Sequence, residues 1–171
     1  MIGSFLQKIG SSARPFLPVA SGFVFVLFSA VPLPFPYIGS IAPTLGLAAI
    51  YYWAIYRPDL LRPTAVFVLG ILSDVIHYLP IGLTALVFIA VYQIALSQRR
   101  FFVKQIFFML WLGFGAVSLL SSLVNWTVMS FYDGAMLPFI PVLMQFLMTL
   151  MIFPLPAWLL IKVQRRFLSQ E

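Results

Sequence analysis

The stretch P-T-A-V-F-V-L-G-I-L-S-D-V-I-H-Y-L-P-I-G-L-T-A-L, residues 63–86, sets one carboxylate inside an apolar run. Asp74 follows Gly70 by about one helical turn and precedes His77, the only histidine of the chain. An ionisable group in a membrane segment is costly and rare, so it marks a candidate site by default. What Asp74 serves depends first on whether this run crosses a membrane.

Composition answers that. The chain of 171 residues is 63% hydrophobic and 8% charged. Soluble domains are about 45–50% apolar and about 25% charged, and a domain of this size still exposes roughly a third of its surface. Lipid must solvate most of these side chains. The Lys and Arg residues fall into four groups: Lys8 and Arg14; Arg57 and Arg62; Arg99, Arg100 and Lys104; Lys162, Arg165 and Arg166. Between them lie stretches of 42, 36 and 57 residues without a positive charge (15–56, 63–98 and 105–161). Each accommodates two spans of about 17–25 residues and a turn. Cationic loops stay cytoplasmic. The expected architecture is therefore an all-α integral membrane protein of six transmembrane helices, N-in and C-in, forming one polytopic domain over residues 1–171. A cleaved leader at the N-terminus is disfavoured, because no small-x-small site follows the first apolar stretch.

The expected helices run Phe16–Val31, Ile41–Tyr56, Pro63–Tyr78, Ile81–Ser97, Gln105–Phe131 and Pro138–Lys162. Pro63 and Pro138 suit a first turn. Pro154 and Pro156 should kink the sixth helix. The run Pro32-Leu-Pro-Phe-Pro36 reads as a stiff outer connector. Tyr51, Tyr52, Trp53 and Tyr56 read as an interfacial belt, as do Trp111 and Trp158.

The inventory removes most chemistry. Zero cysteines exclude disulfides and thiolate sites. A lone histidine cannot form a multi-histidine metal site, so no metal or cofactor is expected. The basic residues sit at membrane edges, which argues against nucleic acid as a partner and for lipid headgroups. Of four carboxylates, Asp59 lies between Arg57 and Arg62, Asp133 precedes Gly134 in a turn, and Glu171 is terminal. Asp74 has no second acid for general acid–base work, so an enzyme is not expected.

At 1.5 Å per residue Asp74 lies about 16 Å from Pro63, at or beyond the bilayer midplane. His77 shares its face. Asn125 and Gln145 are expected at similar depth, so Asp74, His77, Asn125 and Gln145 form one candidate polar set. It either staples helices, the favoured reading, or contacts a ligand, ion or partner. Gly115, Ser118, Ser122 and Asn125 form a second pattern, a stripe of small and polar residues on one helix face. Internal packing is favoured there over a partner-helix seam.

Gly70, Asp74, Pro80 and Gly82 resemble the signature stretch of the rod shape-determining protein MreD family. That family carries a Gly, an Asp about four residues later and a Pro-x-Gly shortly after. The connector R-P-D-L-L-R-P, residues 57–63, is similar too. The resemblance implies a non-enzymatic inner-membrane scaffold of the cell-elongation machinery, which builds side-wall peptidoglycan and maintains rod shape. It implies a fold similar to the membrane substrate-binding subunits of energy-coupling-factor transporters. It implies MreC, RodA and a class B penicillin-binding protein as partners, with MreB filaments contacted indirectly. It carries over no catalytic residue. The competing reading is a substrate-binding membrane subunit of a vitamin-type uptake transporter.

Overall fold

The computed structural model describes residues 16–31, 33–35, 39–104 and 106–168. Lys8, Arg14, Pro32, Pro36, Gln105 and Glu171 lie outside the described residues. The described residues are helical apart from one small hairpin and the connecting turns. In order, the elements are α1 (Leu17–Ser29), β1 (Leu33–Phe35), β2 (Gly39–Ile41), α2 (Leu45–Tyr56), α3 (Pro63–Ile76), α4 (Leu83–Phe102), α5 (Phe107–Tyr132), α6 (Phe139–Ile152) and α7 (Pro154–Leu168). The strands pair antiparallel, Leu33 opposite Ile41 and Phe35 opposite Gly39. The proline-rich stretch thus contributes a strand to a connector.

Local chemistry sets the boundaries. Pro63 opens α3 behind an extended Arg62, where its missing N–H costs nothing. The second helix starts four residues later than expected, because Ile41 belongs to β2 and Pro43 precedes the helical start. The sixth expected helix is divided at Phe153 into α6 and α7. Pro154 and Pro156 cannot donate to the helical ladder there. The chain stays near-helical across the break: Phe153 N–H donates to Thr149 O and Ala157 N–H to Phe153 O, both at 3.1 Å.

Two kinds of helix result. The α5 helix and the α6–α7 pair give apolar runs of 26 and 27 residues, Phe107–Tyr132 and Phe139–Arg165. Each is long enough to cross a hydrocarbon core of about 30 Å. They expose Leu120, Val124, Leu143, Met151 and Leu155, among others. By contrast α1, α2 and α3 have 13, 12 and 14 residues.

The α2 helix is the centre of the molecule. It packs against α1, α4, α5 and α7, and every residue from Gly46 to Ile55 is buried. This corrects the interfacial reading of Tyr51, Tyr52 and Trp53, which are at most 1% exposed. Their polar tips reach internal partners. Tyr51 OH lies 3.4 Å from Leu110 O, Tyr52 OH donates to Gln164 Oε1 at 2.8 Å, and Trp53 Nε1 donates to Ser21 Oγ at 2.9 Å. Trp111 likewise donates to Leu150 O. Phe114 and Phe153 stack with centroids 4.1 Å apart, and Tyr51 packs beside both. The rings therefore fill volume between helices, and each buried N–H or O–H is satisfied, as hydrocarbon surroundings demand.

Candidate functional site

The α3–α4 connection carries the sequence signature, and its residues have separate mechanical jobs. The α3 helix ends at Ile76. Tyr78 takes a left-handed conformation (φ 55°). Leu79 N–H donates to Asp74 O at 2.9 Å and His77 N–H to Ser73 O at 3.0 Å. The six-to-one bond around a left-handed residue is a Schellman ending. Pro80 then accepts from Leu83 N–H at 3.1 Å, and Gly82 adopts φ 103°. That angle is costly for any residue with a Cβ.

Gly82 is the N-cap residue of α4 and has no side chain with which to cap it. Asp74 supplies the acceptor from the neighbouring helix. Gly82 N–H donates to Asp74 Oδ2 and Thr84 N–H to Asp74 Oδ1, each at 2.8 Å. Asp74 is completely buried. Both oxygens accept, which is the bonding pattern of a carboxylate. It sits at the positive end of the α4 dipole, where an anion is favoured. Gly70 completes the hairpin: a Cβ there would lie 2.3 Å from Ala85 Cα and 2.8 Å from Ala85 N. The two backbones touch one turn inward from the bonds that tie their ends.

His77 points elsewhere. Its Nδ1 lies 2.8 Å from Ser73 O and its Nε2 3.2 Å from Ser29 O. Ser29 Oγ in turn donates to Phe25 O and accepts from Leu45 N–H at 2.9 Å, joining the end of α1 to the start of α2. Gln145 Nε2 donates to Ala42 O at 3.0 Å, and Thr44 N–H donates to Thr149 Oγ1 at 3.1 Å, so α6 grips the same end of α2. Ser29, Thr84 and Thr149 were not singled out from the sequence. Single hydroxyls in apolar helices carry no distinguishing pattern.

The candidate polar set divides in two. His77, Asn125 and Gln145 line one cavity of about 230 Å³, together with Ser73, Thr84 and Ser122. Asp74 is not in its wall; it is turned into the α4 terminus. Of the small-residue stripe, Gly115 faces Leu150 of α6, 3.2 Å from where a Cβ would stand, and Ser118 is buried. Ser122 and Asn125 continue the stripe into the cavity. Among the described residues no cluster of His, Cys, Asp or Glu could hold a metal ion.

The family model for rod shape-determining protein MreD matches residues 12–163. The chain belongs to the MreD family. Nearly the whole α-helical body falls inside that match, including the Gly70, Asp74, Pro80 and Gly82 turn. No curated protein and no solved structure matches the chain. MreD proteins are membrane proteins of rod-shape determination, a structural role rather than an enzymatic one.

Proposed function

We propose that this chain is a non-catalytic scaffold subunit of the bacterial cell-elongation complex, held in the inner membrane during side-wall peptidoglycan synthesis. One observation carries the reading: the only carboxylate buried among the described residues is engaged through both oxygens in closing a helical hairpin. Gly82 and Thr84 N–H groups occupy both oxygens of Asp74. A buried acid in that state organises structure and is not placed to relay protons or attack a substrate. MreC, RodA and a class B penicillin-binding protein are the proposed membrane partners, with MreB filaments contacted indirectly.

The proposed topology is six spans in one domain, 1–171, with both termini cytoplasmic. The basic loops support it. Tyr92 OH donates to Leu61 O and Tyr52 OH to Gln164 Oε1, so Arg57, Arg62, Arg165 and the basic end of α4 gather at the end opposite the Asp74 turn. The native absence of cysteine allows a direct check. An impermeant maleimide added outside should label Ala135→Cys and spare Lys104→Cys; the reverse pattern would invert the topology.

The function is tested by depletion in a rod-shaped host. Cells should round and widen, and wild-type protein should restore width. Asp74→Ala, made at equal transcript level, should restore it poorly, with the loss tracking the amount of folded protein. Unchanged shape after complete loss of the chain would remove the elongation role.

A further inference from the structure

The cavity beside the α3–α4 turn holds more polar groups than helix packing uses. It is bounded by α3 and α4 through Ser73, His77 and Thr84, by α5 through Ser122 and Asn125, and by α6 through Gln145. Asn125 Oδ1 is buried and has no hydrogen-bond partner among the described residues. The Asn125 side chain makes no hydrogen bond among the described residues. Buried polar groups are nearly always paired, so an orphan beside a half-open void of mixed polar and apolar lining calls for an occupant.

We propose that this cavity binds a small uncharged group bearing hydroxyl and carbonyl oxygens, of the size of one glycerol or monosaccharide unit. Size and charge define the class. A volume of about 230 Å³ equals roughly eight waters at about 30 Å³ each, and is below the ~300 Å³ at which drug-sized pockets begin. A headgroup or a single ring fits; a large metabolite does not. The wall contains no Lys, Arg or Glu. Asp74 is turned away with both oxygens occupied, and both ring nitrogens of His77 face backbone carbonyls. An anion would meet no Lys or Arg and no ring N–H of His77 left over to donate, and a cation would meet no free carboxylate, which a low-dielectric site penalises heavily. What remains is neutral: the Asn125 amide, the Ser122 and Thr84 hydroxyls and the Gln145 carbonyl. These donate to and accept from hydroxyl and carbonyl oxygens. The site is independent of the scaffold role.

Full-length protein in phosphatidylcholine nanodiscs is titrated with three probes and followed by native mass spectrometry. Monoolein presents glycerol hydroxyls and an ester carbonyl from the membrane, methyl β-glucoside presents hydroxyls from water, and phosphatidylglycerol adds an anionic phosphate. At least one neutral probe should bind saturably, and phosphatidylglycerol about tenfold more weakly. Displacement of monoolein by methyl β-glucoside points to a soluble source of the ligand, and its absence to a lipid source; either supports the site. Asn125→Leu and Ser122→Leu should each weaken binding about tenfold. Asn125→Leu should also raise the melting temperature of the empty protein, because it removes an unpaired buried acceptor. Lack of saturable binding by both neutral probes would leave a water-filled packing defect and overturn the proposal. So would equal binding of phosphatidylglycerol, unchanged affinity in both variants, or a lower melting temperature for Asn125→Leu with affinity intact.

Discussion

Two helical hairpins in this molecule use the same residue types to opposite effect. The α3–α4 hairpin and the α5–α6 hairpin each contain an aspartate, a turn glycine with positive φ (103° at Gly82, 65° at Gly134) and a glycine on the facing helix. In the first, Asp74 is fully buried and bonded to the opposite helix terminus. In the second, Asp133 is exposed and caps nothing with its side chain. Gly70 is pressed against backbone, whereas Gly115 meets only the tip of Leu150. The second hairpin is braced at its mouth by Trp126 Nε1 donating to Leu137 O at 3.1 Å. One hairpin is locked by backbone chemistry and the other rests on side-chain contacts. The polar cavity lies between them, on the side where the packing is looser.

Substitutions in matched pairs break or sharpen this contrast, read by denaturation of the purified protein in mixed micelles. The largest gap should separate the aspartates. Asp74→Ala leaves two buried N–H groups without acceptors, at about 1–3 kcal/mol each, for a loss of about 4 kcal/mol. Asp133→Ala should stay within about 0.5 kcal/mol, as exposed sites do. Comparable losses would mean that Asp74 does not lock the first hairpin. The facing glycines come next. Gly70→Ala drives a Cβ into backbone that cannot move aside and should cost about 3 kcal/mol. Gly115→Ala meets a leucine methyl that can swing away and should cost under about 1 kcal/mol. The turn glycines should differ least. Gly82→Ala is expected to lose about 2 kcal/mol and Gly134→Ala about 1 kcal/mol, since a φ of 65° lies in the left-handed well and 103° lies outside it. A larger loss at Gly134 would reverse that reading.

The sequence made Asp74 visible but not its partners. A carboxylate among Leu, Val and Ile stands out, and His77, Asn125 and Gln145 are the polar residues that helical depth sets beside it. Its actual partners are the backbone N–H groups of Gly82 and Thr84. Every residue but proline has such a group, so nothing in a sequence flags it. The signature glycines were legible as positions, yet their tasks differ: one permits contact between backbones, the other an unusual angle. Helix order was readable from the charge-free stretches, and the prolines marked where the sixth expected helix divides into α6 and α7. The fate of Tyr51, Tyr52 and Trp53 was not. In lipid, a residue facing a neighbour and a residue facing solvent are both apolar, so patterning does not separate core from periphery. Aromatic residues near a charged loop fit either place.

The burial of α2 also imposes an order on biogenesis. This helix is made early, but the carbonyl that meets Tyr51 belongs to Leu110 and the amide that meets Tyr52 to Gln164. Until α5 and α7 have emerged, neither phenol group has its native acceptor. A ribosome stalled before residue 164 therefore holds a chain whose centre is chemically incomplete.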